Sequence, residues 1–128
     1  MAERTLGLED EEAARLLALA RVVIGGAFLL FPRRAARVWT GEADHSATAR
    51  LAVRALGARD LALGLGAIMA LEEGKPAAAW LQAGVVADLS DAASALTARD
   101  LSAFRRLITV MSAGAAVVLG WRLSQRLD

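Results

Sequence analysis

One stretch limits the fold of this chain more than any other. From Leu107 to Trp121 fifteen consecutive residues carry no charge, so no helical face of that segment offers the charged surface that a water-facing helix needs. Three shorter uncharged runs, Val22–Pro32, Leu61–Leu71 and Pro76–Ala87, are 11, 11 and 12 residues long. None of the four reaches the roughly 20 residues that cross about 30 Å of hydrocarbon. Each becomes long enough only by taking in charges: Arg21 in the first, Arg54, Arg59 and Asp60 in the second, Asp88 and Asp91 in the third, Arg105 in the fourth.

Local signals divide the chain into four helices, at about 11–31, 47–72, 76–97 and 101–123. Asp10, Glu11 and Glu12 put acid at the start of the first, and Pro32 stops it. Ser46 suits the cap of the second, which ends at Glu72-Glu73-Gly74. Gly74 fits a left-handed helix end and Pro76 the first position of the third helix. Thr97 or Asp100 caps the fourth. The segment 32–46 is then the only long connection, Arg-rich at first and polar after.

A soluble bundle of 128 residues has no centre large enough to hide a wholly apolar helix. Alanine and glycine make up 41 of the 128 residues, and small residues let helices approach closely where lipid supplies no hydrophobic drive. Trp39, Trp80 and Trp121 fall near helix ends, the interfacial level tryptophan prefers. The expectation is therefore an all-α, four-helix transmembrane bundle running up-down-up-down, a single multi-pass domain of the cell membrane. The acidic stretch before the first apolar run is unlike a cleavable signal peptide. Five basic residues on the side of the termini and seven on the other lean toward termini outside the cytoplasm.

Other classes are disfavoured. A net charge of +1 lacks the electrostatic footprint of a nucleic-acid binder. With no cysteine and one histidine there is no basis for disulfides, thiolate sites, a metal centre or a cofactor. That histidine, His45, stands in a polar loop and reads as a solvated surface residue. Gly64-Leu65-Gly66 lacks a phosphate-loop context and reads as helix packing.

Four spans place charges at mid-depth. Folding the second and third helices about a turn between residues 73 and 74 sets Arg59 level with Asp88, beside Asp60, with Arg21 near the middle of the first helix. A lone charge there costs about 2.5–3.5 kcal/mol, and four unpaired ones on the order of 10 kcal/mol, comparable to the stability of a small protein. They must face inward and pair. Arg59 and Asp60, neighbours ~100° apart on one helix, are expected to find partners elsewhere: Arg59 with Asp88, and Arg21 with Asp60 or Asp91. Arg54, level with Asp91, is a further candidate. Stripes of small and polar residues agree, Trp80, Gly84, Asp88, Asp91 and Ala95 on one helix and Gly57, Asp60, Gly64 and Ala67 on another. The candidate polar core is Arg21, Arg54, Arg59, Asp60, Asp88 and Asp91. Buried ion pairs often serve only to hold register, whereas intramembrane ionisable residues commonly mark function. Arg33, Arg34 and Arg37 read as an interfacial anchor to anionic headgroups.

The run Arg54-Ala-Leu-Gly-Ala-Arg-Asp-Leu-Ala-Leu-Gly64, followed by Trp80-Leu-Gln-Ala-Gly-Val-Val-Ala-Asp88-Leu-Ser-Asp91, resembles the family catalogued as domain of unknown function 4267. These are small bacterial and fungal proteins, predicted to cross the membrane four times and similar in broad architecture to DoxX-like proteins. The resemblance extends over most of the chain. It implies fold and location and no activity.

Two functional readings follow. One is a small integral membrane protein that binds a small hydrophobic or amphiphilic molecule in the bilayer, or supports a membrane complex as a possible homo-oligomer. The other is a small membrane enzyme of isomerase, cyclase or hydrolase type with Asp88 and Asp91 as acid/base. A proton or ion pathway along the same charges is a third use of the site.

Overall fold

A computed structural model describes residues 4–40 and 46–128, with the side chains of all of these except Arg4, Trp39 and Thr40. His45 and the indole of Trp39 therefore lie outside the described residues. Helix accounts for 82% of what is described. The only β-structure among the described residues is a pair of two-residue strands, β1 (Arg4–Thr5) and β2 (Leu8–Glu9), which lead into α1 (Asp10–Leu30). Then come α2 (Pro32–Thr40), α3 (Ala47–Glu72), α4 (Ala78–Thr97) and α5 (Ala103–Ser124).

Among the described residues five helices therefore stand where four were expected. The extra one, α2, occupies most of what the sequence suggested was a connection. Pro32 does end α1, because it has no N–H to continue the ladder, but the same property suits it to open the next helix. Phe31 forms the break, and its carbonyl accepts from the Ala35 amide at 2.9 Å to begin the new turn. Other boundaries also shift. Ser46 caps α3 as expected, accepting from the Ala49 amide at 3.0 Å. Gly74 takes the left-handed conformation at φ +63°. Pro76, however, precedes the α4 cap at Ala77, and Ser102 caps α5 in place of Thr97 or Asp100. Thr97 ends α4 with its hydroxyl turned back to the Ala93 and Ser94 carbonyls. At the other end of the fold, Glu9 and Glu12 close a capping box on α1, and Arg126 reaches Asp10 at 3.0 Å.

Successive long helices run antiparallel. Gly64 meets α1 at Ala18 and Val22, whereas Gly57 meets it at Gly25, Phe28 and Leu29. Gly66 of α3 lies against the Trp80 indole of α4, and Gly120 of α5 against Val85. The tightest contact is α1 on α3: a Cβ added at Gly25 would stand 2.5 Å from the Leu61 nitrogen and 2.6 Å from the Gly57 carbonyl. Nothing larger than hydrogen fits at that crossing, the small-residue packing by which helix backbones touch.

The distribution of side chains is inverted relative to a water-soluble domain. Of the 15 buried apolar residues described, 11 are alanines, while Asp88 and Thr109 are buried with them. Leu81 and Leu123 lie in the core, but most large apolar side chains point outward, among them Leu16, Leu19, Val23 and Ile24 on α1, Val86, Leu89 and Leu96 on α4, Leu107, Ile108, Met111 and Val118 on α5. Among the described residues two helices, α1 and α5, are long and apolar enough to cross a membrane.

Candidate functional site, a buried chain of ion pairs

Five of the six residues singled out from sequence come together. Arg21 from the middle of α1 donates both guanidinium nitrogens to Asp88 of α4, one of them at 3.3 Å to Oδ1. Arg59 of α3 makes the same two-pronged contact with Asp91 of α4, Nη1 to Oδ1 and Nη2 to Oδ2, both at 2.8 Å. Asp60 links the two halves. Its Oδ1 accepts from Arg59 Nε at 3.1 Å and Nη2 at 3.0 Å, and lies 3.7 Å from Arg21 Nη1. The order is Asp88–Arg21–Asp60–Arg59–Asp91, with charges alternating in sign and drawn from three helices.

These side chains are withdrawn from solvent, with 12% of the Arg21 side chain exposed, 10% of Asp88 and 15% of Asp60. Arg59 is more open at 28%. Removing such groups from water costs several kcal/mol per ion, which only good geometry returns. Two parallel N–H···O contacts to one carboxylate are that geometry, since the guanidinium fork matches the carboxylate edge. Gly84 supplies the room: a Cβ there would fall 2.8 Å from Arg21 Nη2. The chain holds three carboxylates against two guanidiniums, one negative charge in excess.

The expected Arg21–Asp60 pair is present at 3.7 Å, but the main partners differ from those expected: Arg59 meets Asp91 and not Asp88, and Arg21 takes Asp88. The reason lies in the turn. α3 ends at Glu72 but α4 begins only at Ala78, and Arg59 stands as far before the first point as Asp91 stands after the second. A hairpin centred between 73 and 74 is displaced by almost one helical turn. The rule that neighbouring residues cannot pair also fails here. It holds for short side chains, whereas the Arg59 guanidinium folds back along the helix far enough for Nε and Nη2 to reach Asp60.

Arg54 does not join the chain. Its side chain is exposed and lines a separate pocket with Arg33, Arg34 and Arg50. A further pocket, of about 530 Å³, opens between α1, α2 and α5. Ile24, Phe28, Val38, Phe104 and Ile108 wall it, and Arg105 and Thr109 are its polar groups. Arg105 also donates to the Val38 carbonyl, which ties α2 to α5. Sequence reasoning misses this pocket because one wall is α2, which falls in the segment expected to be a connection. The available signal is helical spacing within 32–40, with Arg33, Arg34 and Arg37 recurring at three and four residues and Ala35, Val38 and Trp39 doing the same between them.

No family model matches the chain, and neither the curated proteins nor the solved structures yield a match.

Proposed function

We propose that the chain is a multi-pass membrane protein in which α1, α3, α4 and α5 all cross the bilayer, and that it binds a small amphiphile in the pocket between α1, α2 and α5. The observation that carries the membrane reading is the inversion of side chains. On α4, Val86 is 68% and Leu89 53% exposed while Asp88 between them is 7% exposed. In water this arrangement leaves large apolar groups wet and buries charge, unfavourable on both counts. In hydrocarbon both features become favourable, because lipid covers the apolar exterior and charges are stable only when turned inward and paired. On this reading the ion-pair chain lets α3 and α4, each carrying charge, enter lipid beside α1 and α5. The resemblance to the domain of unknown function 4267 family belongs to the same proposal.

The ligand part rests on a pocket volume within the usual range for small-molecule sites, apolar walls and few polar groups. An acid/base role for Asp88 and Asp91 draws less support. Both oxygens of each carboxylate are engaged by an arginine fork, and proton transfer to a substrate would require opening it.

Two experiments test the two parts. The protein should remain with membranes after alkaline extraction. Because the sequence has no cysteine, single cysteines at Lys75 and Gln125 should label from one side and those at Ser46 and Arg99 from the other. Extraction into the supernatant, or labelling of all four from one side, contradicts four spans. For the ligand, Ile108→Trp should fill the pocket and abolish co-purification of an amphiphile seen by native mass spectrometry with the parent chain. Retention of the amphiphile by that variant contradicts the pocket.

A further inference from the structure

The pocket between α1, α2 and α5 holds a single charge. Among the residues lining it only Arg105 is ionisable. Arg105 stands in the first turn of α5, and its Nη1 donates to the Val38 carbonyl in the last turn of α2. That carbonyl is one of the last four of its helix, which the helix itself leaves without a donor. The bond fixes the guanidinium against α2. It leaves the Nε–Nη2 edge, which carries two parallel N–H groups, without an acceptor among the described residues. The neighbouring arginine is no rival for a ligand, because Arg106 Nη2 turns to the Ala98 carbonyl at 2.7 Å, on the far side of the α4–α5 turn.

We propose that the amphiphile of this pocket is a single-chain carboxylate of the fatty-acid type, with its head on the Nε–Nη2 edge of Arg105. This rests on the amphiphile site proposed above and names the class of its ligand. A guanidinium offers donors only, so the head must accept, and a charge-assisted, two-pronged bond to a carboxylate is roughly twice as strong as a neutral one. The charge count agrees. One guanidinium balances one carboxylate, whereas a phosphate monoester carries close to two charges. A cationic or zwitterionic head brings a positive group beside Arg105. The walls suit one tail, since a volume of about 530 Å³ holds a single alkyl chain and not the two of a phospholipid. Apolar surface leads away from the charge. Ile108 lies about one turn beyond Arg105, and Ile24 stands six residues inside the end of α1, about 9 Å by helical rise. Phe104 is 72% and Ile108 54% exposed, so the pocket is open on its outer side, where the tail passes into lipid.

The test is equilibrium dialysis of the full chain in maltoside micelles against labelled decanoate, decanol and decyl phosphate, with chain-free micelles as the blank. At about pH 8 the fatty acid is ionised. Decanoate should bind at least about tenfold more tightly than decanol. Arg105→Gln should bring decanoate down to the level of decanol, and retention of decanol by that variant shows its pocket still folded. Arg105→Lys keeps the charge without the fork and should lose about three- to fivefold; should the glutamine variant unfold, an undiminished affinity in the lysine variant overturns the fork. Ile108→Trp should remove both ligands, and Arg37→Gln, outside the lining, should change neither. Equal binding of decanol and decanoate, both lost in Ile108→Trp, would overturn the carboxylate and leave the amphiphile pocket standing. Binding of no probe above the blank would overturn the pocket, and the carboxylate with it. Decyl phosphate held more tightly than decanoate, or parental decanoate affinity in Arg105→Gln, would overturn the assignment of the head.

Discussion

Two helix contacts in this molecule are built on opposite principles. Where α1 crosses α3, the backbones touch at Gly25, Gly57 and Gly64, with the Phe28 Cβ and a Val22 methyl group packed beside the last two. Where α4 meets those two helices, Asp88 and Asp91 project into arginine forks from Arg21 and Arg59. The first contact draws on dispersion and shape and has no tolerance for added volume. The second draws on charge, has side chains long enough to adjust, and fails when one partner is removed. A chain with an alanine interior uses both, since neither contact buries the large side chains that would anchor a soluble core.

The largest effect is expected from added volume at the glycine crossing. Gly57→Leu places atoms on the Gly25 carbonyl, 2.7 Å from where its Cβ would stand, and the colliding atom is backbone. We expect a loss of about 4 kcal/mol or more and no folded protein in a detergent thermal melt. Cutting the charge contact should cost less. Asp88→Ala leaves Arg21 with only the 3.7 Å contact to Asp60, a loss of about 3 kcal/mol. Adding Arg21→Met should return part of that loss, since no orphaned guanidinium then remains; a fully additive double variant would contradict the pairing. The smallest effect belongs to Asp60→Asn. Both arginines keep their two-pronged partners and the excess negative charge is removed, so the melting point should move by less than about 1 kcal/mol equivalent. A loss as large as that of Asp88→Ala would show that Asp60, and not the forks, holds the network.

How far the sequence discloses this architecture follows from which features are local. The all-helical class, the cap at Ser46, the left-handed Gly74 and the inward stripe through Gly84, Asp88 and Asp91 are properties of short segments and their periodicity. The choice of partners is not. Arg59 meets Asp91 because a few residues of turn delay the start of α4, and such a delay cannot be read from composition. Arg54 illustrates the same limit, since depth along α3 placed it near Asp91 while its direction around the helix sends it to the arginine pocket. The segment 32–40 was misread for a different reason, because a proline that ends one helix also starts another well.

The exterior of α4 is the most direct test of the account. Val86 points outward two residues from Asp88, on a helix that is not one of the two long and apolar enough by composition to cross a membrane. A nitroxide spin label on Val86→Cys, in phosphatidylcholine vesicles, should collide more often with dissolved oxygen than with a water-soluble nickel chelate, as a lipid-facing site does. Preferential collision with the chelate would place that face in water and contradict the reading of a chain with its charge inside and lipid around it.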